Sequence, residues 1–128
     1  MGLAACGLIP RTFEVGFPSL GSVDALSVVL VDHTGLVTGL DLPSQPSEDW
    51  REGVRNGAGR PDSLVVGWLG GMCDRRATLT LDEVPGGYRI TRRVDSVDRC
   101  LLAGIGRSVV VSLSRPVAAE SVQLEPRG

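Results

Sequence analysis

The chain has 128 residues with 13 basic and 15 acidic side chains, a net charge of −2, which fits one domain and excludes a strongly basic nucleic-acid-binding surface. Hydrophobic residues make up 42% and charged residues 22%, so a packed core is within reach and wholesale disorder is excluded. All the basic residues are arginine, which excludes Schiff-base lysine chemistry, and His33 is the single histidine, which excludes a multi-histidine metal site. No apolar run reaches the roughly 18 residues of a membrane span. Nothing in the sequence implies a cofactor.

Taken in chain order, residues 1–10 come first as a short N-terminal segment. Leu3-Ala4-Ala5-Cys6 places an aliphatic residue and two small residues before a cysteine. This pattern resembles the lipobox of bacterial lipoproteins. The resemblance implies lipidation of Cys6 and an address at the outer face of the cell membrane, held there by a lipid anchor. Two acyl chains give stable anchoring where one is marginal. Only Met1 and Gly2 precede the box, so the resemblance implies a signal segment that is clipped here. Gly7-Leu8-Ile9-Pro10 is a short tether, which would hold the domain close to the membrane.

Residues 11–126 form the single domain. Residues 11–17 alternate, with Phe13, Val15 and Phe17 on one face and Thr12 and Glu14 on the other, the pattern of a half-buried strand. Residues 25–32 are apolar on both faces, as in a central strand. His33-Thr34-Gly35 is a turn signal, and residues 36–42 are expected to return as its hairpin partner. Residues 43–63 break the pattern with Pro43, Pro46 and Pro61 and read as the longest irregular segment. Ser47 could cap a short helix there, and Trp50 is its exposed aromatic, a candidate ligand contact.

Residues 64–69 read as a buried strand containing Trp68. Residues 77–84 and 88–94 alternate around Pro85-Gly86-Gly87, a strong hairpin signal. Arg92-Arg93 disturbs the alternation and is read as a bulge or strand end. With Arg75 and Arg76 these two arginines could form a basic patch for anionic headgroups or an acidic partner, and all four are candidate ligand contacts. Residues 108–114 and 121–125 complete the set.

About eight short strands and no long amphipathic helix predict an all-β domain, an antiparallel β-sandwich, with a small β-barrel as the alternative. With Cys6 set aside, Cys73 and Cys100 remain as an expected disulfide in an exported chain. Closing a loop of about 27 residues, it would stabilise the fold by roughly 3–4 kcal/mol.

Three constellations bear on chemistry. Asp32-His33 at a predicted turn is an acid–base pair in principle. Gly104-Ile105-Gly106 precedes a strand rather than a helix, which excludes a dinucleotide fingerprint. The acids of the second half have no calcium-loop spacing. The expected function is therefore a non-catalytic, extracytoplasmic lipoprotein domain that binds an envelope protein or ligand. The alternatives are a cytosolic β protein with free thiols serving as a subunit of an assembly, and a small enzyme using Asp32 and His33.

Overall fold

Period-two alternation of valine, leucine and isoleucine with polar residues can bury one face of a strand, and two such faces must meet to exclude water. In the computed structural model, which describes residues 9–17, 26–43, 50–71, 74–96 and 105–127, they do so as a β-sandwich rather than a closed barrel. One sheet has five strands, β1 (Arg11–Phe17), β2 (Leu26–Asp32), β6 (Asp74–Val84), β7 (Gly87–Ser96) and β9 (Val122–Arg127), in the order β1-β2-β6-β7-β9. The other has four, β3 (Val37–Asp41), β8 (Ile105–Leu113), β5 (Arg60–Gly70) and β4 (Gly53–Gly57), in the order β3-β8-β5-β4. A one-turn 3₁₀ helix at Ala119–Ser121 leads into β9.

The core lies between the sheets. Val28, Leu30, Ala77, Leu79, Leu81 and Ile90 face Leu64, Val66, Trp68, Val109, Val111 and Leu113, all buried. Phe13, Val15 and Phe17 of β1 add a partly buried flank, as their alternation predicts.

The sandwich is borne out, and its pairing is richer than an all-antiparallel arrangement. β2 pairs with β6 in parallel, and so does β7 with β9. Successive strands reverse direction along the chain. Strands an even number of steps apart therefore run the same way, and both parallel pairs are of this kind.

The expected hairpin of residues 25–32 with 36–42 does not form. β2 pairs with β1 and β6, whereas β3 pairs with β8 in the other sheet. The side chain of Asp32 explains the departure. This carboxylate is 1% exposed and accepts hydrogen bonds from the Thr34 N–H (2.8 Å), the Thr34 hydroxyl (2.6 Å) and the Val37 N–H (3.0 Å). It folds the chain round its own carboxylate and hands Val37 to the second sheet, an Asx-type corner in place of a hairpin turn. The His33 N–H meanwhile donates to the Leu81 carbonyl at 3.0 Å, keeping the corner on β6.

Residues 43–63 are less irregular than their composition suggests. β4 and the start of β5, residues 60–63, lie within them, as part of an edge hairpin. Its register shifts between Asn56 and Gly57, and Pro61 falls within that irregular stretch, where its missing N–H breaks no ladder bond. The expected helical start at Ser47 lies outside the described residues, as do Cys6, Cys73 and Cys100. The β6–β7 hairpin forms as predicted, with Val84 opposite Gly87 across Pro85-Gly86.

Candidate functional site

Inward positions on β7 fall at Tyr88, Ile90, Arg92 and Val94, because side chains two apart share a face. Ile90 is buried and packs in the core. Arg92, one step further, is therefore an arginine on the inner face, and β7 runs on through Ser96 without a break. The sequence reading of Arg92-Arg93 as a bulge or strand end is corrected accordingly. The register shift of this hairpin lies on β6, between Asp74 and Arg76. The disturbed alternation marks an inward-facing charge instead.

Arg92 faces a pocket of about 290 Å³, lined by Glu52, Gly53, Trp68, Arg92 and Leu124. The five residues come from both layers. Trp68 of β5, Gly53 at the start of β4 and the preceding Glu52 belong to the four-stranded side. Arg92 of β7 and Leu124 of β9 belong to the five-stranded side. The pocket thus opens between the sheets where the edge strands β4 and β9 approach each other.

One charged donor group reaches it. The Arg92 guanidinium spans the gap, donating from Nη1 to the Leu69 carbonyl at 3.3 Å. Trp68 is 1% exposed, and its indole Nε1–H has no hydrogen-bond partner among the described residues. A buried N–H without a partner is uncommon, since leaving it unmade forfeits the bonds it had in water. Leu124 supplies an apolar wall and Glu52 an exposed rim.

The other expected contacts separate. Arg76 and Arg93 lie on the outer face of the five-stranded sheet, diagonal to each other across β6 and β7, with Arg93 3.9 Å from Asp95. Arg75 is exposed at the register shift. The four arginines therefore form no single patch: Arg92 is on the opposite face from Arg76 and Arg93. Trp50 is half-buried on the outer face of the four-stranded sheet, and its indole N–H donates to the Arg107 carbonyl at 2.9 Å. Its hydrogen-bonding atom is thus already engaged within the fold.

Asp32 and His33 do not pair with each other. His33 Nδ1 lies 2.7 Å from Asp82 Oδ1, at an exposed site. Among the described residues no three His, Cys, Asp or Glu side chains cluster in a way that could hold a metal ion.

Two further polar features escaped the sequence reading. Asn56, the single asparagine, donates from Nδ2 to the carbonyls of Val117 (2.8 Å) and Ser63 (3.2 Å), and its Oδ1 accepts from the Ala119 N–H (3.0 Å). It ties the β4–β5 edge to the segment entering β9. Arg107, 6% exposed on β8, places its guanidinium over the Phe17 ring at 5.2 Å. Neither pairing has a local sequence signal, because each joins segments far apart in the chain.

Set against protein-family models, curated proteins and solved structures, the chain has no match in any of the three. The fold and the pocket define it as a β-sandwich domain with a small two-sided cleft at one lateral edge.

Proposed function

We propose that this chain is a non-catalytic binding domain, held at the outer face of a bacterial cell membrane by lipid on Cys6 and closed by a Cys73–Cys100 disulfide. The observation that carries the address is the pairing of Asp74 with Ser96 at the open end of the β6–β7 hairpin. Cys73 directly precedes Asp74, and Cys100 follows Ser96 after a short segment. The strands that lead to Cys73 and Cys100 therefore leave the sheet side by side, an arrangement compatible with a bridge between the segments that carry them. An oxidised pair belongs to an exported protein, in agreement with the lipobox-like Leu3-Ala4-Ala5-Cys6.

The lateral pocket supports the binding half of the reading. The non-catalytic half is supported by the engagement of Asp32, whose two carboxylate oxygens accept from Thr34 and Val37 and so leave His33 without it.

The test is made on protein recovered from its own cells. Acyl labelling and membrane fractionation are compared for the natural chain and Cys6→Ser, and thiols are titrated in denaturant before and after reduction. The reading expects label and membrane retention that Cys6→Ser abolishes, and two thiols that react only after reduction. An unlabelled, soluble chain with free Cys6, Cys73 and Cys100 overturns it in favour of a cytosolic subunit.

A further inference from the structure

The geometry points to the pocket between β4 and β9 as a binding site for a small monocarboxylate with an apolar body. This rests on the reading of the domain as a binding module and is independent of where the domain resides.

Three features select the ligand class. The first is the charge of Arg92 on an inward strand position beside Ile90, where an apolar residue would complete the core. A guanidinium drawn toward an interior costs desolvation unless its donors find acceptors. It carries five N–H groups, and among the described residues it makes one hydrogen bond, to the Leu69 carbonyl at 3.3 Å. The second is the facing wall, where the buried Trp68 of the other sheet lines the same cavity. Arg92 therefore brings a charged fork of N–H donors to a cavity whose facing wall is Trp68. A carboxylate offers two oxygens that match the Arg92 guanidinium fork in a bidentate, charge-assisted pair.

The third is the remainder of the lining. Leu124 and the indole carbons of Trp68 make apolar walls, suited to a hydrocarbon body. Glu52 stands at the exposed rim, and its charge opposes every anion, but phosphate and dicarboxylates more than a monocarboxylate. The volume, about 290 Å³, is at the small end for ligand pockets and limits the occupant to a small molecule.

The probes are octanoate, its neutral isostere octanamide, and inorganic phosphate, each titrated into the isotope-labelled full chain. The two tryptophan indole N–H resonances are followed by NMR and assigned with Trp50→Phe. A panel of neutral and cationic fragments is run alongside. Octanoate is expected to shift the Trp68 indole N–H saturably, with octanamide weaker by about tenfold or more, the usual cost of losing a charge-assisted hydrogen bond. Arg92→Gln should weaken octanoate by a similar factor, and Arg92→Lys, which keeps the charge and loses the fork, by less. Thermal melts of both variants confirm that they fold.

Octanamide binding as tightly as octanoate, phosphate binding more tightly, or an affinity indifferent to Arg92→Gln overturns the ligand class. If panel fragments shift the Trp68 signal while octanoate does not, the class fails and the binding-module reading stands. If no probe or fragment moves it, both fail.

Discussion

The indole N–H of Trp50 donates to the Arg107 carbonyl, and the same ring rests on Gly106, the residue before it. A Cβ at position 106 would lie 2.8 Å from Cδ2 of Trp50, closer than carbon atoms approach. The glycine is what allows an indole to lie flat on β8 and cap the outer face of the four-stranded sheet. Gly106→Ala is expected to lift the ring, lengthen the hydrogen bond and cost about 1–3 kcal/mol, the range of overpacking changes. Urea unfolding measures the loss, and the Trp50 emission should move to longer wavelength as the ring meets water. Unchanged emission and stability would show that the ring shifts freely.

The Asp32 corner decides which sheet the chain enters after β2. Both oxygens of this buried carboxylate face donors. Asp32→Asn must turn an amide NH₂ toward at least one N–H or O–H donor, and neither orientation satisfies all three bonds. The expected loss is about 2–4 kcal/mol, because a buried donor left facing another donor loses its bond and its solvation. His33→Gln beside it should cost less than about 1 kcal/mol, since the His33–Asp82 pair is exposed and such pairs contribute little. Equal losses for the two variants, read from denaturant midpoints, would contradict this division.

What the sequence made legible, and what it hid, follows from the range of the interactions involved. The β6–β7 hairpin, β1 and β8 were readable because alternation and the Pro85-Gly86 turn are local signals. The step from β2 to β3 is hidden because a turn within a sheet and a turn between sheets look alike in sequence, and only the capture of the Val37 N–H by Asp32 separates them. β4, Gly-Val-Arg-Asn-Gly, carries one β-branched residue and two glycines, so its strand character comes from pairing with β5 rather than from propensity. For the candidate site, the break in alternation at Arg92 was visible, but its cause was not. The opposite wall of the pocket is supplied by Glu52, Gly53 and Trp68, which only the packing of the second sheet brings near. The half-buried seat of Trp50 is hidden for the same reason, since the bare backbone at Gly106 becomes its platform only once β8 is in place.

The Pro85-Gly86 turn gives a local prediction. Gly86 has φ of +86°, and with proline before it the pair has the signature of a type II turn. An L-side chain there is strained by roughly 1–2 kcal/mol, so Gly86→Ala should lower stability by about that amount. The tight match between Val84 and Gly87 should persist, observable as unchanged amide protection along β6 and β7. Loss of protection throughout the hairpin would mean that the turn holds the register, against the expectation that cross-strand side-chain contacts do.

Asn56 joins three segments through one amide, and its two ends have opposite roles: Nδ2 donates to Val117 and Ser63 carbonyls while Oδ1 accepts from Ala119. Asn56→Asp keeps the shape and replaces the donor by an oxygen 2.8 Å from a carbonyl oxygen. The expected cost is about 2–4 kcal/mol, larger than that of Asn56→Ala at about 1–3 kcal/mol, because repulsion is added to lost bonding. Denaturant melts of the two variants should therefore rank aspartate below alanine at neutral pH. The reverse order would indicate that the segment entering β9 relaxes away from the edge and that Asn56 is not its anchor.

Arg92 makes the sharpest distinction between a structural residue and one kept for a ligand. A residue that braces the sandwich should weaken it when replaced. A charge held inward to bind a ligand should do the opposite, because an apolar side chain of similar length removes the desolvation cost and fills the same space. Arg92→Met gives up one 3.3 Å hydrogen bond to the Leu69 carbonyl and gains contact with Trp68 and Leu124. With no ligand present, its unfolding free energy is expected to rise by about 1 kcal/mol, the scale of such exchanges at functional positions. The difference should disappear or reverse when saturating octanoate is added, since only the natural chain would gain from binding. A variant that melts earlier than the natural chain without ligand would place Arg92 among the residues that hold the sheets together.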